Sequence, residues 1–284
     1  VFFYSKYNFL KITDHPNLRS MHNKPKPNMG GLFLIFGILF FFYFENIDNF
    51  NIYLIILSLS IIIGILDDLN KIKFKIKFLT LLLLCFILIY LSFDINNYSI
   101  SIFLFTFIFT FHFINIFNFM DGTDGTALSQ TIFFLVILLL FDTNLFTLSQ
   151  TTTVILLSLV LLFFNLPNSK LFIGNVGSYS ISSFLILILF NEELSINNFI
   201  IWIIIFLFFY LDTSFTLVKR LLNNKNIFEA HKDHLYQKIA SRKNHLYFFI
   251  ILNIYNYLIV LPYLYFSNTL LSNDLFYHLI FIFL

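Results

Sequence analysis

The chain has a single cysteine, Cys85, in 284 residues, and only 11% of its residues are charged. A lone cysteine inside an apolar run excludes a disulfide framework and a cysteine-built metal site. So little charge, set against 59% hydrophobic residues and 43 phenylalanines, leaves too little polar surface to coat a soluble globule of this size. Glycine and proline are scarce too, at 8 and 5, and their positions are informative for that reason. Gly30, Gly31, Gly122, Gly125, Gly174 and Gly177 fall in three connections between apolar runs, together with Pro16, Pro25, Pro27 and Pro167. A composition that rejects glycine elsewhere keeps it where backbone must turn tightly or come close to another group.

Apolar runs lie near residues 32–44, 51–66, 76–93, 100–117, 127–141, 147–164, 178–190, 196–218 and 246–266. Several are apolar all round, with no two-residue alternation, which favours helices over a barrel. A spanning helix needs ~20 apolar residues, so flanking residues must complete several of these runs. With a short run at each end, the sequence predicts an all-α polytopic membrane protein of about ten or eleven transmembrane helices in one domain over 1–284. The run interrupted by Lys6 reads as a truncated first span, and 275–284 is equally short of a crossing. Basic residues follow the first run instead of preceding it, which argues against a cleavable signal peptide.

All 17 Lys and Arg residues sit on alternate connections: Lys6 to Lys26, Lys71 to Lys77, Lys170, and Lys219 to Lys243. The intervening connections carry only acids, among them Glu45, Asp48, Asp94, Asp142, Glu192, Glu193 and Asp274. By the positive-inside rule the basic side is expected to be cytoplasmic. The glycine-rich motifs share that side, so chemistry and positive charge are expected on one face of the membrane.

The sharpest motif runs from Asn115 to Gly125 at the basic-side end of an apolar run. Asn115, Asn118 and Asp121 are three apart and would share one helix face, where they could converge on a metal or a phosphate. Asp67-Asp68 closes another run and is followed by Lys71, Lys73, Lys75 and Lys77. Neighbouring helical residues point ~100° apart, so one acid of the pair is expected to face a ligand. Gly174, Gly177 and Ser178 form a close-approach turn whose N–H groups and hydroxyl suit phosphate oxygens. His231 and His234 could reach one ligand as phosphate donors. A zinc site there would lack both Cys and a third well-spaced His. Asp212 lies deeper in an apolar run, either as a functional acid or as a partner for a neighbouring helix.

Taken in order, these elements resemble a known family. The order is Arg19-Ser20-x-His22-x-x-Pro25-x-Pro27-x-x-Gly30-Gly31, then Asp67-Asp68, then Asn115-x-x-Asn118-x-x-Asp121-Gly122-x-Asp124-Gly125, then Gly174-x-x-Gly177-Ser178 with His231-x-x-His234. The family is that of the polyprenyl-phosphate N-acetylhexosamine-1-phosphate transferases, glycosyltransferase family 4, relatives of the phospho-N-acetylmuramoyl-pentapeptide transferases. The segment from Asp212 to Gln237 most resembles the branch that starts O-antigen or other surface polysaccharides. The resemblance implies transfer of a sugar-1-phosphate from a UDP-N-acetylated sugar to a polyprenyl (undecaprenyl) phosphate. This would take place at the cytoplasmic face of a bacterial inner membrane, with UMP released. Mg²⁺ is the implied cofactor, with Mn²⁺ as a substitute.

Residue by residue, the resemblance makes Asn118 and Asn175 metal ligands, sets Gly122 and Asp124 against the uracil, and stacks Phe172 on the base. Asp67 or Asp68 would position or deprotonate the lipid phosphate. Asp121 and His234 fall among the catalytic positions, and His231 and His234 would bind the donor phosphates with help from Arg19, Lys24 or Lys26. No nucleic-acid partner is expected, and a homodimer stays open. The pattern departs from the family at Asn175, where the family has Asp. An amide oxygen can ligate a hard cation but lacks the carboxylate charge. Weaker metal binding, compensation by Asp121, or a non-catalytic relative would follow. An anion transporter is the competing class, but it would place charges near the midplane and repeat internally. Here the ionisable groups crowd one rim.

Overall fold

Backbone N–H and C=O groups in hydrocarbon find no water, so apolar runs satisfy them internally as helices. The computed structural model describes residues 1–7, 12–14, 16, 24–69, 73–92, 99–141, 147–191, 195–226 and 231–270. After α1 (Phe2–Tyr7) come α2 (Gly30–Phe44), α3 (Phe50–Asp68), α4 (Phe74–Ser92), α5 (Ile100–Met120), α6 (Thr126–Leu140), α7 (Leu148–Asn165) and α8 (Gly174–Phe190). They are followed by α9 (Ile196–Ile205), α10 (Leu207–Leu222), α11 (Leu235–Arg242) and α12 (His245–Tyr255). The last of these continues through a π-helical turn, Asn256–Val260, into α13 (Leu261–Leu270).

Five segments are long and apolar enough to cross a membrane: α3, α4, α5, α7, and α12 with its continuation. The bent pair α9 and α10 makes a sixth, while α2, α6 and α8 are shorter apolar helices. The protein is a helical, polytopic membrane protein. The expected total of ten or eleven counted a fragment at each end. At the first, α1 has six residues; at the second, 271–284 lie outside the described residues.

Two features depart from the sequence reading. The run 196–218, expected as one span, breaks at Phe206 and bends by 81°. No Gly or Pro marks the break. Gln130 of α6 makes it tolerable by donating to the Ile205 carbonyl at 2.7 Å, and Asn256 of the π-helical turn donates in turn to Gln130 at 2.9 Å. Such side chains replace the backbone partner that a bend removes. The second departure from an all-α fold is a small antiparallel pair, β1 (Thr13–Asp14) with β2 (Lys26–Pro27). Two-residue strands are too short to leave a periodic signal.

The central element is α8, buried without interruption from Val176 to Phe190 and packed on α2, α3 and α5. Apolar character alone cannot select it, because every spanning helix here is apolar. Small residues can, since they let backbones approach closely. A Cβ at Gly31 would lie 2.0 Å from the Gly177 Cα, and one at Gly64 would lie 2.4 Å from the Val176 Cα. Ser60 of α3 meets Ser183 of α8 at 3.0 Å. The two helices are antiparallel: Asn191, just past α8, donates to Tyr53 near the start of α3 at 2.7 Å, while the end of α3 meets the start of α8.

Candidate active site

The end of α3 delivers Asp68 to the first turn of α8. Its carboxylate accepts the N–H of Asn175 at 3.0 Å, the N–H of Val176 at 3.2 Å, and the Asn28 amide at 3.1 Å. An acid at a helix N-terminus pairs with otherwise orphaned N–H groups and with the helix dipole. These two N–H groups, expected to be available to phosphate, are therefore taken by Asp68. Gly174 has φ of 73°, and a Cβ there would sit 2.6 Å from Asp68 Oδ2, so glycine is required on both counts. Asp67 turns elsewhere. It accepts the Tyr179 hydroxyl at 2.9 Å and pairs with Lys77 at 2.7 Å. The two acids thus have separate partners, as their angular offset predicts.

At the end of α5, Asn118 donates to the Asn175 side-chain oxygen at 2.8 Å and to the Ser178 hydroxyl at 2.7 Å. Two motifs 57 residues apart meet here. Asn115 does not join them, because its amide returns to the Phe111 carbonyl of its own helix at 2.7 Å. Asp121 follows α5, and its carboxyl has no partner among the described residues. Burial, and then the carboxylates of Asp68 and Asp124, push that carboxyl well above its ordinary range.

The turn after α5 is pinned from three sides. Asp124 is buried; it accepts the Ser169 N–H at 3.1 Å and lies 3.1 Å from His245 Nδ1. Gly122 lies under Tyr236, whose hydroxyl donates to the Phe119 carbonyl at 2.6 Å; a Cβ at Gly122 would come within 2.2 Å of that hydroxyl. Phe172 is tied to the first connection by its own N–H, which donates to the Pro27 carbonyl at 2.9 Å, and by its carbonyl, which accepts from Gly30 at 2.7 Å. Lys26 stands over the Phe172 ring, 5.0 Å from its centre.

His234 is the N-cap position of α11 and is buried, its ring centre 6.3 Å from that of Phe119. The His231 ring stacks on it at 5.0 Å. Asp212 caps the same helix by accepting the Leu235 N–H at 2.7 Å. Of the two readings the sequence left for Asp212, the structure shows the structural one. His234 Nδ1 is 3.6 Å from Asp212, beyond hydrogen-bond reach. Burial, with the charges of Arg220 and His234, brings His231 from the usual 6.5 down to about 4.

Comparison with known proteins bears on this constellation. The profile described as "Glycosyl transferase family 4" matches residues 50–193. The chain belongs to glycosyl transferase family 4. It is also 25% identical over 249 residues to the "Probable undecaprenyl-phosphate N-acetylglucosaminyl 1-phosphate transferase" of Bacillus subtilis (strain 168), covering 80% of this chain and 69% of that protein. As a member of glycosyl transferase family 4, the chain is set among transferases of phospho-sugars to polyprenyl phosphate.

The structure brings the candidate residues Asp67, Asp68, Asn118, Asp121, Gly122, Asp124, Phe172, Asn175, His231 and His234 to one end of the bundle, with Lys26 beside Phe172. Lys24 is exposed on the same connection, and Arg19 lies outside the described residues. Among the described residues no cluster of three or more His, Cys, Asp or Glu could hold a metal ion on protein ligands alone. The Asn118 and Asn175 side-chain oxygens and the Asp121 carboxyl are hard oxygen donors of the kind that suits a Mg²⁺, which binds through few protein ligands. Sequence reasoning missed Asn28, Tyr179, Arg220, Tyr236 and His245. Of these, Asn28 alone carried a signal, its place between Pro27 and Gly30.

Proposed function

We propose that this protein transfers an N-acetylated sugar-1-phosphate from a UDP-sugar to undecaprenyl or another polyprenyl phosphate, starting a lipid-linked surface polysaccharide. The site would face the cytoplasm of a bacterial inner membrane. A phosphate oxygen of the lipid attacks the sugar-bearing phosphorus of the donor, a new P–O bond forms, and the bond to the bridging oxygen breaks as UMP leaves. No base is obligatory, because a phosphate monoester near pH 7 is already largely dianionic. The observation that carries this reading is the meeting of Asn118 with Asn175 at 2.8 Å, on the rim where Asp68 and Asp121 lie. A lipid acceptor requires a site at the membrane surface, and a charged donor requires access from water.

In this reading Asn118, Asn175 and Asp121 would hold Mg²⁺, which would offset charge on the diphosphate as phosphoryl transfer generally requires. Asp68 is oriented by its three donors toward the acceptor phosphate. His231 and His234 meet the donor phosphates through their ring nitrogens. Phe172 and the 121–125 turn line the base position. One observation favours a second reading, a relative that binds lipid or nucleotide without turnover: residue 175 is an amide and not a carboxylate, and its side-chain oxygen already accepts the Asn118 N–H at 2.8 Å.

UMP release by the purified protein with polyprenyl phosphate, Mg²⁺ and a panel of UDP-sugars decides between them. The expected outcome is lipid-dependent UMP from at least one donor, with Asn175→Asp lowering the Mg²⁺ concentration needed for half-maximal rate. No UMP from the parent, with turnover gained in Asn175→Asp, establishes the second reading. No UMP from either protein with any donor overturns the enzyme assignment.

A further inference from the structure

Arg220, in the last turn of α10, is the one buried Lys or Arg among the described residues, at 7% exposure. A buried guanidinium is costly unless its N–H groups are matched. One of its terminal nitrogens pairs with the Asp233 carboxylate, and the other donates to the Asn226 carbonyl at 2.6 Å. Its Nε is buried with no acceptor. The fork therefore spans two points of the connection that follows α10, one at its beginning and one inside the His231 to His234 stretch. A lysine lacks the rigid planar fork that holds both in one geometry.

The same helix holds the other end of that stretch. Asp212, eight residues before Arg220 and so about 12 Å away along the axis, accepts the Leu235 N–H at 2.7 Å. Asp212 and Arg220 are both buried, carry opposite charge, and bracket the stacked pair of imidazoles. Lys238 adds a further tie, from its ammonium to the Asp233 carbonyl.

We propose that Arg220 is a positioning residue for a nucleoside diphosphate-sugar: with Asp212 it fixes, from one helix, where His231 and His234 meet the donor phosphates, and it touches no substrate itself. The inference rests on reading the two histidines as donor-phosphate ligands. The charge of Arg220 also faces His231, together with His234, Asp233 and Lys238, and helps keep that ring uncharged.

The test uses full-length protein in lipid nanodiscs, with Arg220→Gln, Arg220→Lys, Asp233→Asn, and the exchange Arg220→Asp with Asp233→Arg. Asp233→Asn leaves α10 untouched and covers the case in which an Arg220 variant fails to fold. In steady-state assays Arg220→Gln and Asp233→Asn are expected to raise KM for the UDP-sugar about tenfold, the scale of one lost charge-assisted pair, with kcat changed less than about threefold. Arg220→Lys falls between, and the exchange recovers part of the loss. NMR of ¹³C-labelled histidine is expected to show His231 titrating at higher pH in Arg220→Gln. Unchanged KM and unchanged His231 titration overturn the proposal, as does a fall in kcat at constant KM. If the parent itself turns over no donor, the functional reading fails separately. The His231 titration then still decides whether Arg220 holds this stretch: a shift supports it, and no shift overturns it.

Discussion

At the scale of single residues, the site is built from side chains that are tied before any substrate arrives. Asp68 has three donors, Asp124 has a backbone N–H and a histidine, and His231 leans on His234 beside the Arg220 guanidinium. His231 gives the clearest pH prediction. Its folded pKa is about 4 against the ordinary 6.5, so the unfolded chain binds more protons there between those values. The stabilisation that this neutral ring contributes is present above about 6.5 and lost as pH falls toward 4. Labelled-histidine NMR is expected to show the His231 ring, assigned by its loss in His231→Gln, still neutral at pH 5.5. A His231 ring titrating at 6.5 or above would contradict the burial seen here. Asp67, Asp68, Asn118, Asn175 and the histidines were legible in the sequence because each stands in a short motif. Arg220 and His245 were not, because nothing local separates a buried arginine from the other basic residues of its connection, or a histidine 121 positions away from the aspartate it touches.

At the scale of elements, three close approaches to α8 set the position of everything above it. Gly64 gives a direct test, since a methyl group there would collide with backbone and not with a yielding side chain. Gly64→Ala is expected to destabilise the protein by about 1–3 kcal/mol, the usual range for overpacking, and to lower activity because Val176 holds Asp68. Gly37→Ala is the control, because its Cβ would meet only the side chain of Leu157, at 3.1 Å. Thermal unfolding in detergent compares the two, and equal effects would show that the α3–α8 contact is looser than described. The sequence revealed these helices through their apolar runs, and it revealed the glycines through their scarcity. It did not reveal the break at Phe206, because the residues that stabilise the bend, Gln130 and Asn256, come from other helices.

At the scale of the whole molecule, the basic connections and the candidate site share one end of the bundle, and the far end carries the Tyr53–Asn191 contact. If the positive-inside rule governs this chain, the site opens to the cytoplasm. Cys85 is fully buried, so single cysteines can be introduced on a nearly silent background. Lys73→Cys, on the basic side, is expected to react with an impermeant maleimide in inside-out vesicles but not in intact cells. Ser195→Cys, on the other side, is expected to do the reverse, and labelling of both from one side would overturn the orientation. The apolar runs and charge pattern made this layout readable from sequence. The contacts that close it, between residues 40 to 138 apart, arise only when the helices pack.

The fastening of Asp68 to α8 bears on how this protein could be blocked. A cationic warhead aimed at that carboxylate would compete with three donors already in place, whereas the same group directed at Asp121 would compete with no described partner. Inhibitor chemistry against this rim should therefore be built outward from residue 121.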